Sequence, residues 1–453
     1  MRLGFAILIG NEPAWCVGKS WHGLVRCEMV DPKAVLSGRM RRGVPAGAII
    51  SIAISSICLA VFLGMFLMIG GLIFIAAAIL SLITLIPMLS GVMALDRLEP
   101  EPVHLLVTTF LWGAGASVIL TLILNALGEA IFHLEPGDAT EVIETVIFAP
   151  VIEETAKALV LFGLFWFRRH EFNGVTDGVV YAATSALGFA AAENVSYYIG
   201  AAADGASSLA VLFVMRGVLS PFCHPVFTSM TGICLALATR HRNPAARFFL
   251  PLGGLFLAMT LHSIWNSAAS LGLGFLGIAF LIIIGVLIII LVIVRVDRKR
   301  TVGRIQACMT QYLPTGLVTG TDLTMLSTLK NRKQARKWAK STHGKSGFNA
   351  MRDYQQACTE LSMLHDRAVD GMVPAEKFEA HRSALLALMQ MARDAFLGPK
   401  QLNMPMMNPP FQPVMQPPIQ VLLQPPARPP MQPPMQTPMQ PPMQPPYQPP
   451  VQR

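Results

Sequence analysis

The chain has 453 residues, 53% hydrophobic and only 13% charged, with a formal net charge of +9. A soluble protein usually carries about twice that charged fraction, so the composition excludes an ordinary soluble chain and points to a membrane protein. The basic residues sit in short runs beside apolar segments, not interleaved with aromatics, which sets nucleic acid aside as a partner.

The N-terminal "MRLGFAILIGNEPAW" has too short an apolar run for a secretory leader. Residues 1–45 are therefore expected to form a cytosolic N-terminal segment, with the first span acting as the membrane-targeting signal. A spanning helix needs about 20 mostly apolar residues. Eight segments qualify: 47–68, 71–94, 104–132, 142–167, 177–200, 208–238, 247–270 and 273–294. They predict an all-α fold, a polytopic membrane helix bundle over residues 46–296. The first two segments meet at Gly70-Gly71 and the last two at "LGLG", both tight turns. The sixth carries Arg216 and Pro221 and is expected to be broken. Pro225, lacking an N–H, is expected to leave the Pro221 carbonyl free.

Basic residues fix a topology. Arg39, Arg41 and Arg42, then Arg97, then Arg168 and Arg169, then Arg240, Arg242 and Arg247, then "RVDRKR" fall in alternate loops. The intervening loops, "HLEPGDATEVIE", "AAADGASS" and the two glycine turns, carry no Lys or Arg. A multi-pass protein of the cell membrane with both termini cytoplasmic follows. Residues 297–402 form a cytosolic helical region. There "DYQQACTELSMLHDRAVDGM" and "AEKFEAHRSALLALMQMARDAFL" have helical spacing on either side of a Gly and a Pro, which predicts a helical hairpin. The remainder, 403–453, is a Pro/Met/Gln-rich tail, expected to be disordered or polyproline II. Hairpin and tail are candidate surfaces for a cytosolic partner. The seven cysteines contain no C-x-x-C pair, so neither a disulfide framework nor a thiolate metal site is read.

The apolar spans hold ionisable groups, each costing about 2.5–3.5 kcal/mol at mid-bilayer on insertion scales. Glu153, Glu154 and Lys157 lie in the fourth segment, Glu193 in the fifth, His224 in the sixth and His262 in the seventh. Counted from the outer ends at 1.5 Å per residue, the glutamates of the fourth lie about 17 Å deep and Glu193 and His262 about 11–12 Å. All are compatible with one shared site in the middle or outer half of the bilayer. Residues four apart share a helix face, which pairs Glu153 with Lys157, Phe189 with Glu193, His224 with Thr228 and His262 with Asn266. Glu153 and Glu154 diverge by about 100° and are expected to have different tasks. The small residues of "AATSALGFAAAEN" allow neighbouring helices to approach closely.

Two chemistries are open for such a cluster. Glu193, His224 and His262 could hold a divalent metal such as zinc, with water in the open position. Alternatively, a glutamate could act as general base while histidines polarise a carbonyl. Both lead to hydrolysis. A proton- or ion-coupled transporter and a noncatalytic membrane scaffold are the alternatives outside it.

"EETAK" resembles the E-E-x-x-K motif of the PrsW family of bacterial intramembrane proteases. "GFAAAEN" resembles its F-x-x-x-E motif, and His224 and "HSIWN" match its two histidine motifs. The resemblance spans roughly residues 95–270. The family is similar to the wider group of CAAX prenyl endopeptidases and bacteriocin-processing proteins, whose E-E-x-x-x-R and F-x-x-x-H motifs this chain lacks. The resemblance implies an intramembrane endopeptidase acting on membrane-anchored proteins, anti-sigma factors among them. It implies a catalytic set of Glu153, Glu154, Lys157, Glu193, His224, His262 and Asn266. Within that set Glu153 activates water and His262 with Asn266 holds the oxyanion. The family is commonly called a metalloprotease.

Overall fold

The computed structural model describes residues 45–98, 100–132, 138–241, 243–369, 371 and 373–397, with the short segments 7–8 and 13–14. The N-terminal segment and the Pro-rich tail read from the sequence lie, apart from those short segments, outside the described residues. Ile7–Leu8 pairs antiparallel with Pro13–Ala14, and everything else regular is helical.

Among the described residues, seven helices are long and apolar enough to cross a membrane. α1 (Ala46–Gly70) and α2 (Leu72–Leu95) form a hairpin through Gly71, whose φ of 52° suits glycine alone. Their outward residues are bare and apolar, including Ile57, Val61, Ile75 and Ile86. That is the surface a bilayer covers, because lipid removes any need to bury it against protein. α3 runs from Val103–Leu111 through a π-helical turn, Trp112–Ser117, into Val118–Phe132. α4 runs from Asp138–Ile143 through a π-helical turn, Glu144–Phe148, into Ala149–Arg168. It is the fourth expected segment, and with Glu153, Glu154 and Lys157 it is too charged to count by composition among the seven. It packs inside the bundle, against α3, α5 (Val175–Ala203), α7 (Cys223–Thr239) and α8 (Pro244–Leu271).

α5 is the axis of the bundle, buried along nearly its whole length. Its small residues let backbones touch. A Cβ at Gly178 would lie 2.2 Å from the Gly232 carbonyl oxygen of α7. One at Gly188 would lie 2.2 Å from the Phe110 carbonyl oxygen, and one at Gly113 would lie 1.9 Å from that of Ser185, both across α3 and α5. In lipid, where apolar side chains gain little by leaving the solvent, such close packing supplies the association.

The sixth segment is broken as expected. α6 comprises Ala206–Leu212 and a π-helical turn, Phe213–Leu219. The chain then bends through 220–222 before α7 begins. Pro225 does not open a helix here. It lies in the first turn of α7, where a missing N–H costs no hydrogen bond.

α9 (Leu273–Thr310) has 38 residues, about 57 Å of helix, roughly twice what a bilayer core needs. Its far end enters a helical bundle with α10 (Gly320–Leu326), α11 (Leu329–Val369) and α12 (Ala375–Leu397). Ile305, Met309, Tyr354, Leu361, Leu385 and Phe396 form its core. α11 reverses at His343–Gly344, so the bundle contains the expected pair and one more helix before them. Arg332 Nη1 donating to Thr359 and Arg336 Nη1 to Gln355 show the antiparallel register of that extra helix.

Candidate functional site

The motif helix α4 is fixed by its own carbonyls. Trp112 Nε1 of α3 donates to the Ala156 carbonyl at 2.9 Å, and Ser185 Oγ of α5 donates to that of Lys157 at 3.1 Å. The π-helical turn in α3 presents Trp112 here, and such turns often mark functional sites. Lys157 is thereby held fully buried at the centre.

Its ammonium uses all three donors. It reaches Glu153 Oε2 at 3.0 Å, Glu154 Oε1 at 2.9 Å and His224 Nδ1 at 3.1 Å, and it lies 4.0 Å from the Phe189 ring centre. Glu154, wholly buried, also accepts from Thr228 Oγ1 at 2.7 Å and lies 3.1 Å from His262 Nδ1. Its lone pairs are spent on neighbours. Glu153 keeps one oxygen for the cavity and is the more open of the two, its side chain 10% exposed. The adjacent carboxylates thus stand in different environments, as their 100° divergence requires.

The two imidazoles are each backed by a carboxylate. His262 Nδ1 faces Glu154, and its ring stacks on Phe227 at 5.0 Å. His224 Nε2 faces Glu193 Oε2 at 3.1 Å. An ionised carboxylate only accepts, so His262 carries its proton on Nδ1 and His224 on Nε2. Neutral, both rings therefore turn an unprotonated nitrogen inward: His262 Nε2 lies 3.9 Å from Glu153 Oε2, and His224 Nδ1 accepts from Lys157. Glu153, His224 and His262 offer three donor atoms within 4.8 Å of one another. Sequence spacing put Glu193 in that trio. The structure instead has Glu193 behind His224, bound also by Arg216 of α6. Asn266 lines the same cavity, but its amide donates to the Thr145 carbonyl at 2.9 Å.

Glu153, Glu193, His224, His262 and Asn266 form one wall of a cavity of about 490 Å³. Asn125 and Glu129 of α3, Glu144 and Phe148 of α4, Met215 and Arg216 of α6 and Trp265 of α8 complete it. The three π-helical turns among the described residues flank the site: one braces α4, one lines the cavity, and one carries Arg216. Thr228 and Arg216 are the contributors that sequence reasoning under-weighted. Thr228 was legible as the residue four after His224, while Arg216 looked equally suited to a lipid-facing position.

Comparison with known proteins is consistent across methods. Residues 101–294 match the family model described as PrsW family intramembrane metalloprotease. The chain is 28% identical over 190 residues to Protease PrsW of Clostridioides difficile (strain 630), covering 41% of this chain and 77% of that one. It is 29% identical over 184 residues to Protease PrsW of Oceanobacillus iheyensis, covering 40% and 76%. Against Protease PrsW of Bacillus subtilis (strain 168) it is 26% identical over 171 residues, covering 38% and 72%. No solved structure gives a significant match.

Proposed function

We propose that this chain, through residues 101–294 a member of the PrsW family of intramembrane proteases, cuts single-span membrane proteins at a bond brought beside Glu153. The observation that carries the reading is the meeting of Glu153, His224 and His262 within 4.8 Å on the wall of a cavity large enough for an extended peptide. A scissile carbonyl inside a helix is occupied by its own hydrogen bond, so the substrate must unwind locally to present it. The polar wall of the cavity supplies partners for the backbone groups so freed.

Glu153 is the general base. It takes a proton from the attacking water and returns it to the leaving amine. Lys157, itself bound by Glu154, holds it in place, and Glu154 also orients His262. The developing oxyanion calls for a positive partner, because neutral His224 and His262 turn lone pairs toward the centre. Lys157, fully buried with all three donors engaged, contributes its charge at a distance and not as a hydrogen bond to the oxyanion. The donor set also fits a divalent ion. Two imidazole nitrogens and a carboxylate converge, and Glu193 and Glu154 back the two rings as carboxylates do in metal centres. His224, His262 and Glu153 would hold such an ion, which would contribute Lewis-acid polarisation when bound.

The orientation that fits is both termini in the cytoplasm, with the cavity toward the outer half of the bilayer. Anti-sigma factors with a single membrane anchor are substrates of the right chemistry. The cytosolic bundle and Pro-rich tail lie outside the matched residues 101–294 and suit a role in partner choice. The test uses purified full-length protein in proteoliposomes with a panel of single-span proteins. Wild type cuts at least one, and Glu153→Gln and His262→Ala each lower the rate by about 10²-fold or more. If both variants cut at the wild-type rate, the reading is wrong.

A further inference from the structure

α6 has no fully buried residue between Ala206 and Leu219, and it packs on α2 and α5 through half-buried Leu209, Leu212 and Phe213. Its side-chain hydrogen bonds to α5 come from Arg216. Arg216 donates through Nη2 to Glu193 Oε2 and through Nε to Asn194 Oδ1 at 2.9 Å, and its guanidinium lies 4.0 Å from the Tyr197 ring centre. The same Glu193 oxygen meets His224 Nε2 at 3.1 Å. A direct chain of contacts therefore runs from Arg216 through Glu193 to the ring whose other nitrogen faces Lys157 and Glu153.

We infer that Arg216 is a positioning residue for hydrolysis, setting the ring of His224 through Glu193. The inference rests on the proteolytic reading of the site. A glutamate has three side-chain torsions and, left with a single imidazole partner, can swing toward the open cavity. The planar guanidinium prevents this by geometry. Its fork spans two acceptors on adjacent residues of α5, and its face is pinned by Tyr197. Glu193 Oε2 is then fixed in space, and the hydrogen bond it accepts fixes the tautomer and plane of His224. The π-helical turn Phe213–Leu219 brings Arg216 to this position. It is seated on α2, where Thr84 Oγ1 donates to the Gly217 carbonyl at 3.3 Å. Gly217 has no room for a side chain, since a Cβ would lie 2.8 Å from Thr84 Oγ1. Lysine could supply the charge at position 216 but neither the fork nor the stacked plane.

The test is steady-state cleavage of one single-span substrate by full-length Arg216→Gln, Arg216→Lys, Glu193→Gln and the double variant Arg216→Gln/Glu193→Gln. Arg216→Gln should lower kcat about 10- to 100-fold with KM within about twofold, as loss of an orienting partner does. Arg216→Lys should fall between it and wild type, which also guards against simple misfolding. In the Glu193→Gln background, adding Arg216→Gln should cost less than about twofold more, because the two act through one path. A raised KM with unchanged kcat, or full additivity with Glu193→Gln, overturns the inference. Failure of wild type itself to cut sinks the proteolytic reading instead, and this inference with it.

Discussion

Lys157→Met removes the one cation that two buried carboxylates share. Lys157 is fully buried, and its ammonium meets Glu153 at 3.0 Å and Glu154 at 2.9 Å. Removing one partner of a buried ion pair typically costs about 3–5 kcal/mol. The lower end applies here for two reasons. Glu154 keeps donors from Thr228 and His262, and Glu153 can turn to water in the cavity. About 3 kcal/mol corresponds to a fall of roughly 6–12 °C in the unfolding midpoint of a domain of this size. Intrinsic tryptophan fluorescence of detergent-purified protein on heating measures it, with Trp112 in the brace beside the site as reporter. Adding Glu154→Gln should recover part of the loss, since it removes one stranded charge. A fall of less than about 2 °C would refute the argument that this ammonium is the electrostatic centre of the bundle.

Gly232→Val should prevent α5 and α7 from meeting, because a Cβ there lies 2.1 Å from the Gly178 carbonyl oxygen; monodisperse protein is lost on size-exclusion chromatography, whereas Gly253→Ala, with nothing within 4 Å, is tolerated. In the C-terminal helical bundle, burial and then the nearby Arg382 push the His365 imidazole down to about 4. The unfolded chain therefore binds the extra proton first, so stability contributed by neutral His365 is lost as pH falls from about 6.5 toward 4. Hydrogen-exchange protection factors in α11 and α12, corrected for the slower intrinsic exchange at low pH, should be smaller at pH 5 than at pH 7, and His365→Gln should flatten that difference. If the inner donor trio holds a divalent ion, metal analysis finds close to one per chain in wild type, and the His224→Ala/His262→Ala double variant loses it; equal metal in both would place the ion elsewhere.

The spans were legible because about 20 apolar residues have few other uses, and the site because charge inside such spans is costly and so stands out. The pairing of Glu153 with Lys157 followed from helical periodicity alone. Periodicity along one helix does not say which helix lies opposite. That is why Glu193 was assigned to the donor trio when it sits behind His224; the oxyanion role of Asn266 came from the resemblance alone, and its amide here serves the Thr145 carbonyl. The π-helical turns left no sequence signal, although they carry Trp112 and Arg216 to their positions. The helix before the expected cytosolic hairpin was missed because "NRKQARKWAKSTHGKSG" is too polar to show an apolar face. It buries mainly Ala339 and the whole of Arg332, whose guanidinium donates to the Leu326 carbonyl and Thr359.

Mass spectrometry of the products from a single-span substrate in proteoliposomes bears most directly on the role given to Glu153. The expected result is a new terminus inside the substrate's membrane segment with wild-type enzyme and none with a folded Glu153→Gln variant. Product from Glu153→Gln in wild-type amount, or cuts confined to the substrate's soluble part, would contradict it.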